Sequence, residues 1–297
     1  MYLPYAEFYI TNVCNYSCHN CNRFNNYDFK GSYKWDNSYY EKWASKTKIR
    51  KINILGGEPT LNPNLPNFVL GISKLWPDTT NKRINTNGAN LKSKLLHKLL
   101  KRYDWRVELN LHDLPPSKIN KHVIQELNKH WGPLKLIKRT RKKVNLMTKR
   151  DENTQSFGDN MVTQTRMETS LGVVILINEM TEFHENAFID KENMILYDSD
   201  PNDAHKHCTM KTCHHFIDGK LYKCGVVKLV PDIMKQKNLS YPSIYDQYKP
   251  LDDNSTQQDL DNLAENPIPQ CTHCPGSKEE WKLKRFKLDT KGNKFKR

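Results

Sequence analysis

The chain has 297 residues, of which 37% are hydrophobic, so it can bury a core and is not disordered as a whole. Its 47 lysines and arginines exceed its 33 aspartates and glutamates, and the formal net charge of +14 favours an anionic partner without indicating a fold. The longest aliphatic run, VVILI at 173–177, is too short to span a membrane, and the first residues lack the basic region of a signal peptide. We expect no membrane association.

Strand-like and helix-like segments alternate along the first two-thirds of the chain. The predicted strands cover 7–12, 50–59, 82–88, 105–113, 134–140 and 170–177, and the predicted helices cover 37–48, 64–76, 91–103 and 116–131. Repeated strand-then-helix units indicate a parallel sheet with right-handed crossovers. About six units are fewer than the eight of a full barrel, so the predicted fold class is α/β, a partial (β/α)6 TIM barrel.

Two segments depart from this alternation. The polar stretch 151–169 is interpreted either as a loop over the active face, which we favour, or as a surface insert. From about residue 200, short turns and cysteines replace the alternation. The predicted organisation is therefore a partial barrel at 1–200, a small cysteine-rich unit at 201–277 and a basic tail at 278–297.

Positive charge is concentrated in the basic tail and in KLIKRTRKK at 135–143. No nucleic-acid-binding motif accompanies either segment, so a solvated face and tail are favoured over nucleic-acid binding.

The eight cysteines form two groups, one at 14–21 and one at 208–274, with none between them. A disulfide scaffold would be short and secreted, and this chain is neither. We therefore predict reduced, metal-binding thiols and a cytoplasmic location.

The first group, Cys14, Cys18 and Cys21, follows the first predicted strand in the spacing C-x3-C-x2-C. Three thiolates can hold three corners of a [4Fe–4S] cubane and leave the fourth iron open to another ligand. The alternative is a zinc site with His19 as fourth ligand, although zinc knuckles usually pair two C-x2-C units. The spacing favours iron–sulfur.

Small polar residues follow the next two predicted strands. Gly56 and Gly57 would let a ligand approach the backbone, and Glu58 could accept a hydrogen bond from a ligand amine, although this turn alone could be only a turn. The third strand ends in Asn85-Thr86-Asn87-Gly88, another polar tip on the same face.

TNVCNYSCHNC followed by GGEP resembles the cluster-binding and methionine-binding motifs of the radical SAM superfamily, and the resemblance covers roughly residues 5–200. It implies that Cys14, Cys18 and Cys21 hold a [4Fe–4S] cluster whose open iron is chelated by S-adenosylmethionine (SAM). It implies SAM contacts from the glycine turn, the third strand tip and the end of the fourth strand: Gly56, Gly57, Glu58, Thr86, Asn87, and Asn110 or His112.

One position departs from that family's pattern. Asn20 stands where the family usually has an aromatic residue near the adenine, so Tyr16 or Phe24 is expected to take that place.

The chemistry implied by the resemblance is reductive cleavage of SAM. An electron from a donor such as a flavodoxin or ferredoxin, passed through the cluster, would yield a 5′-deoxyadenosyl radical that takes a hydrogen atom from the substrate.

The second cysteine group contains a predicted hairpin at Asp218-Gly219 and a chelating pair in CTHC at 271–274. Alone, these thiols fit a zinc ribbon or an iron–sulfur site equally. The segment resembles the SPASM and twitch extensions of radical SAM enzymes, which implies one auxiliary cluster. Its ligands would come from five cysteines, with Cys208 or Cys213 left over: Cys208, Cys213, Cys224, Cys271 and Cys274.

Three functions compete. The favoured one is a radical SAM enzyme that modifies a peptide or protein side chain, although no leader-binding domain is evident before the first strand. The second keeps the chemistry but acts on a nucleotide, RNA or another anionic small molecule. The third is a non-enzymatic, zinc-binding nucleic-acid module, against which GGEP and the long β/α pattern argue.

Overall fold

The computed structural model describes residues 1–18, 21–111, 118–143, 161–179, 182–184, 187–190, 193–208, 210–277, 280 and 283–285. Within them the strands are β1 (Tyr2–Leu3), β2 (Ala6–Tyr9), β3 (Lys48–Ile49), β4 (Lys51–Leu55), β5 (Asn81–Thr86), β6 (Trp105–Leu111), β7 (Lys135–Lys143), β8 (Met161–Glu168), β9 (Val174–Glu179), β10 (Glu182–His184), β11 (Phe188–Asp190), β12 (Ile195–Leu196), β13 (His214–Ile217), β14 (Lys220–Tyr222) and β15 (Leu283–Arg285). The helices are α1 (Glu41–Lys46), α2 (Leu65–Leu75), α3 (Lys94–Arg102), α4 (Lys118–Trp131), α5 (Pro201–His207), α6 (Gly225–Gln236) and α7 (Gln257–Glu265).

Most strands join one nine-stranded sheet in the order β14-β13-β2-β4-β5-β6-β9-β8-β7. The six strands from β13 to β9 run parallel to their neighbours, and β14, β8 and β7 are antiparallel additions at the two edges. The predicted α/β class with a parallel sheet is confirmed, and the partial barrel stays a prediction.

The alternation of side chains along β6 explains how this sheet separates a core from a polar face. Trp105, Val107 and Leu109 are almost fully buried in the main hydrophobic cluster, together with apolar residues of α2, α3 and α4. The residues between them, Arg106, Glu108 and Asn110, are half-buried on the opposite face of the strand. That opposite face therefore carries the polar groups available for chemistry.

The predicted fifth and sixth units differ from the structure. The segment predicted as the fifth strand forms β7, but it lies at the sheet edge, antiparallel to β8, and β9 occupies the place beside β6. The strand β8 falls within the stretch 151–169, which the sequence predicted as a loop; residues 151–160 lie outside the described residues. Its sequence, MVTQTRME, has no apolar alternation because an edge hairpin needs no buried face.

The basic segment 135–143 is this edge strand, β7. Its described side chains, at 135–139, are exposed. Charged residues on an exposed edge discourage pairing with another chain, which accounts for the charge without a nucleic-acid partner.

The hairpin predicted at Asp218-Gly219 is confirmed, and both turn residues have positive φ, 51° and 78°. The hairpin was predicted in the C-terminal unit, but β13 pairs in parallel with β2 and continues the main sheet. A boundary at residue 200 therefore does not separate two sheets, and the division into domains stays a prediction. Of the basic tail, β15 pairs with β10, and most of the remainder lies outside the described residues.

No helix in the described ranges is both long and apolar enough to cross a membrane.

Candidate functional site

The cysteine loop after β2 is held against the end of β4 by backbone hydrogen bonds. Gly57 N donates to Thr11 O at 2.7 Å, and Glu58 N donates to Val13 O at 2.8 Å. A Cβ atom on Gly57 would stand 2.4 Å from Val13 O, and one on Gly56 would stand 2.5 Å from Thr11 O. The two glycines therefore allow the cysteine loop to approach the end of β4 closely. The sequence analysis explained their small size by the approach of a ligand and did not predict this role.

The three thiols of the first group are brought together at this edge of the sheet. Cys18 is 9% exposed and packs with Tyr16, Cys14 and Cys21. Burial raises the pKa of all three thiols. Negative charge adds to the rise at Cys14, from Glu58 and Cys21, and at Cys18, from the other two thiols, whereas backbone hydrogen bonds and the charge of Arg23 oppose it at Cys21. Three thiolates can hold three corners of a [4Fe–4S] cluster.

In the described ranges, no three His, Cys, Asp or Glu side chains lie close enough together to hold a metal ion as they stand. His19, the fourth ligand of the zinc alternative, and Asn20, the position of the expected aromatic residue, lie outside the described residues.

Two buried donors beside the thiols have no hydrogen-bond partner among the described residues. One is the hydroxyl of Tyr9, whose pKa is raised by burial and, to a smaller extent, by the thiols of Cys21 and Cys14. The other is Nδ2 of Asn15, whose Oδ1 accepts a hydrogen bond from Asn87 Nδ2 at 2.9 Å. An unsatisfied buried donor costs about 1–3 kcal/mol, and a sulfide or carboxylate acceptor would remove that cost. The residues present therefore fit a cluster with a carboxylate-bearing ligand.

Glu58 joins the glycine turn to the tip of β5. Its Oε1 accepts hydrogen bonds from the backbone and hydroxyl of Thr60, at 2.9 and 2.6 Å, and from the hydroxyl of Thr86. Its Oε2 accepts a hydrogen bond from Asn87 N at 2.6 Å. Burial raises the pKa of this carboxyl group, and the four hydrogen bonds oppose that rise. The structure thus brings together the predicted residues Glu58, Thr86 and Asn87.

Asn110 begins a row of amides across three strands. Its Oδ1 accepts a hydrogen bond from Asn178 Nδ2 at 3.1 Å, and Asn178 Oδ1 accepts one from Gln164 Nε2 at 2.8 Å. The pairing of Thr86 with Leu109 places Asn110 one residue further, at the edge that carries the β5 tip. No sequence pattern indicated Asn178 or Gln164, because their alignment with Asn110 depends on strand register. His112 lies outside the described residues.

Four thiols of the second group influence one another. Burial, followed by the charge of Cys224 and Cys271, raises the pKa of Cys208 to about 12. Burial also raises the pKa of Cys274, and Cys224, Cys208 and Cys271 add to that rise. The loop between Cys271 and Cys274 is tied to the start of α5 by Ser199 N, which donates to Thr272 O at 2.9 Å. The charges of these four thiols therefore act on one another.

Cys213, the fifth cysteine of this group, contacts the first parallel strand, β2. It is 2% exposed, and its Sγ lies 3.5 Å from Glu7 Oε1. Which of Cys208 and Cys213 serves as a ligand stays a prediction. All eight cysteines lie in the described part of the chain, and none forms a disulfide.

Lys223 is a residue of this second group that sequence reasoning missed. It is 3% exposed, and its Nζ donates to Leu263 O and, at 2.8 Å, to Asn266 O. Burial lowers the pKa of its ammonium group, and the thiols of Cys271, Cys224 and Cys208 oppose that fall. A lysine that interacts with three cysteines has no sequence signal of its own, because lysines are abundant in this chain.

The model of the radical SAM superfamily matches residues 8–157, just over half of the chain. The chain belongs to the radical SAM superfamily. Its members are enzymes that use SAM with a [4Fe–4S] cluster, so the non-enzymatic zinc module is wrong.

A curated relative of this radical SAM protein is the probable GTP 3′,8-cyclase of Thermococcus kodakarensis. The two are 30% identical over 142 residues, which are 43% of this chain and 44% of the relative. The chain thus spans less than half the length of that relative.

Among solved structures, SuiB of Streptococcus suis bound to S-adenosylmethionine is 22% identical, with a TM-score of 0.32 over 40% of this chain and 27% of SuiB. Native anSMEcpe with bound AdoMet and Cp18Cys peptide is 15% identical, with a TM-score of 0.33 over 44% of this chain and 41% of that chain. Likenesses this weak carry no argument about the substrate.

Proposed function

We propose that this radical SAM protein holds a [4Fe–4S] cluster on Cys14, Cys18 and Cys21 and binds SAM beside it. One observation carries the proposal. The three thiols pack together in a loop that follows a parallel strand, and backbone hydrogen bonds join this loop to the Gly56-Gly57-Glu58 turn. When bound, the cluster and SAM would supply a 5′-deoxyadenosyl radical that takes a hydrogen atom from the substrate.

The residues around the thiols would bind and orient SAM. Oε2 of Glu58, with one hydrogen bond from the described residues, has capacity for the methionine amine. The hydroxyl of Tyr9 and Nδ2 of Asn15 supply donors for a sulfide or for the methionine carboxylate. Thr86 and Asn87 would line the SAM pocket, and Asn110 would contact the ribose.

A second [4Fe–4S] cluster is proposed on Cys208, Cys224, Cys271 and Cys274, as in a twitch-like auxiliary unit. Four protein thiolates leave no open iron, which suits electron transfer or structure better than substrate binding. The proposed auxiliary unit spans 201–277. It follows the proposed partial barrel at 1–200 and precedes the basic tail at 278–297. Its strands β13 and β14 extend the sheet of the first half. Electrons would come from a donor such as a flavodoxin or ferredoxin.

Two substrate classes follow from different observations. The resemblance of the second cysteine group to SPASM and twitch extensions favours a peptide or protein side chain. The net charge of +14 and the GTP cyclase named among the relatives favour a nucleotide or another anionic small molecule.

The second class is tested by measuring formation of 5′-deoxyadenosine from SAM with GTP, with single-stranded RNA and with neither. Stimulation by GTP or RNA supports it, and equal rates in all three reactions argue against it.

The cluster assignment is tested by iron and sulfide content after anaerobic reconstitution. We expect about eight irons per chain in the wild type and about four in the C14A/C18A/C21A triple variant, with sulfide in step. Replacing Cys271 by Ala should reduce the content of the other cluster.

The matched control is Cys213→Ala, which removes a thiol of the same segment and should leave both clusters in place. Zinc without sulfide in the wild type would overturn the iron–sulfur assignment of both groups.

A further inference from the structure

A buried ion pair lies beneath the cysteine loop. Arg23, two residues after Cys21, places its Nη2 3.1 Å from Oε2 of Glu7 on β2, and the two side chains are 12% and 6% exposed. Glu7 also accepts hydrogen bonds from the hydroxyl of Tyr5 and from Nε2 of His215. Buried ion pairs are often no more stable than apolar residues of similar volume, so this pair is poorly explained by stability alone.

The guanidinium of Arg23 contacts residues that neighbour both cysteine groups. Its Cζ is 5.9 Å from the centroid of the Tyr9 ring, which is buried beside the first thiols. On its other side, a Cβ atom on Gly225 would stand 2.5 Å from Nη1 of Arg23, and Gly225 directly follows Cys224. One cation therefore lies against both cysteine segments.

The electrostatic influence of Arg23 reaches both groups. Arg23 is two residues from Cys21 along the chain, and its guanidinium reaches Gly225, the residue after Cys224. The positive charge of Arg23 would favour any added negative charge at either site, because interactions between charges are strong where water is excluded.

We propose that Arg23, held in place by Glu7, is a positioning residue that sets the reduction potentials of both iron–sulfur clusters together; this inference rests on the proposed function. Each cluster gains one negative charge when it accepts one electron from the external donor. A nearby cation stabilises the reduced form and raises the potential, and net charge is among the factors that tune such clusters.

The two members of the ion pair should act in opposite directions. Arg23→Met removes the cation and should lower the midpoint potentials of both clusters. Glu7→Gln leaves the charge of Arg23 uncompensated and should raise both potentials. The double variant R23M/E7Q should return both toward the wild-type values, because the pair is then removed as a whole. Potentials are measured by dithionite titration of the reconstituted full chain, with the clusters followed by electron paramagnetic resonance.

Arg83→Met is the matched control. Arg83 is also a partly buried arginine paired with a carboxylate, that of Glu108, on the same face of the sheet, but neither cysteine group contacts it in the described structure. Its replacement should leave both potentials unchanged. Arg23→Lys keeps the charge and should stay near the wild type, which keeps the test decisive if Arg23→Met does not fold.

The inference is overturned if the potentials shift in the same direction in Arg23→Met and Glu7→Gln, or if they do not shift. Either result would show that the ion pair only supports the structure. Iron and sulfide contents separate this result from failure of the proposed function. A wild-type protein with only one cluster would overturn the second site, and the inference with it.

Discussion

At Glu58, hydrogen bonds from two loops end on one buried carboxylate. Replacing Glu58 by Gln would turn an NH2 group toward donors that now point at oxygen. A buried donor left unsatisfied costs about 1–3 kcal/mol, and we expect the free energy of unfolding in urea to fall by that amount. The control is Glu265→Gln at the exposed end of α7. Equal loss in both variants would contradict the role of Glu58.

His97 makes the stability of the chain depend on pH. It is 4% exposed, stacks on Trp131 with ring centroids 4.5 Å apart, and bonds the hydroxyl of Thr169 at 2.8 Å. Burial lowers the pKa of its imidazole, so the unfolded chain takes up the proton first as the pH falls. The contribution of His97 is fully present above the ordinary histidine pKa of about 6.5 and is lost below it.

His97→Gln, which cannot titrate, should therefore lose less unfolding free energy than the wild type between about pH 7 and pH 5. Urea unfolding at several pH values measures this difference. His122→Gln, an exposed change on α4, should follow the wild-type curve. A parallel fall in His97→Gln and the wild type would rule out the contribution of His97.

Some features of the site were predictable and others were not. Cys14, Cys18, Cys21 and the glycine turn form motifs, because their chemistry depends on residues close together in sequence. The contact of Cys213 with Glu7 and the pairing of Arg23 with Glu7 depend on which distant strands become neighbours. No spacing in the sequence encodes those contacts.

At the scale of elements, Gly57 controls how closely the end of β4 approaches the cysteine loop. Gly57→Ala would place a Cβ atom 2.4 Å from Val13 O, and the loop would have to move. We expect the reconstituted variant to lose the iron of the first cluster while keeping about four irons at the second.

Gly276→Ala provides the comparison, because its Cβ atom would meet nothing nearer than a side-chain atom of Ser199 at 3.1 Å. That variant should keep the iron of the first cluster. A full iron content in Gly57→Ala would show that the loop does not need the close approach.

The strands β4, β5 and β6 were predictable because each alternates or is continuously apolar and lies between amphipathic helices. The position of β9 beside β6 was not, because local periodicity does not reveal strand order. The hairpin of β13 and β14 was recognised from its turn, but the same local signal could not show that it pairs with β2.

For the whole molecule, that pairing joins the N-terminal and C-terminal halves through one core. Phe216 of β13 is fully buried and stacks on Phe8 of β2, with ring centroids 5.0 Å apart. The ring of Trp43 contacts Phe216 at 5.2 Å, and the indole Nε1 of Trp43 donates to Gly219 O at 2.9 Å. We therefore expect the full chain to unfold in one transition, with tryptophan fluorescence and circular dichroism giving the same urea midpoint.

Cutting the chain after residue 200 should uncover the edge of β2 and the aromatic core around Phe8, so the 1–200 fragment should aggregate and fail to retain iron. Phe216→Ala should lower the free energy of unfolding of the full chain by about 3–5 kcal/mol, because it empties a site at the centre of that core. Tyr2→Ala, at a side chain 51% exposed, should change it little. A soluble 1–200 fragment that binds about four irons would instead establish the boundary at residue 200 as a true domain boundary, because the first half would then fold without β13.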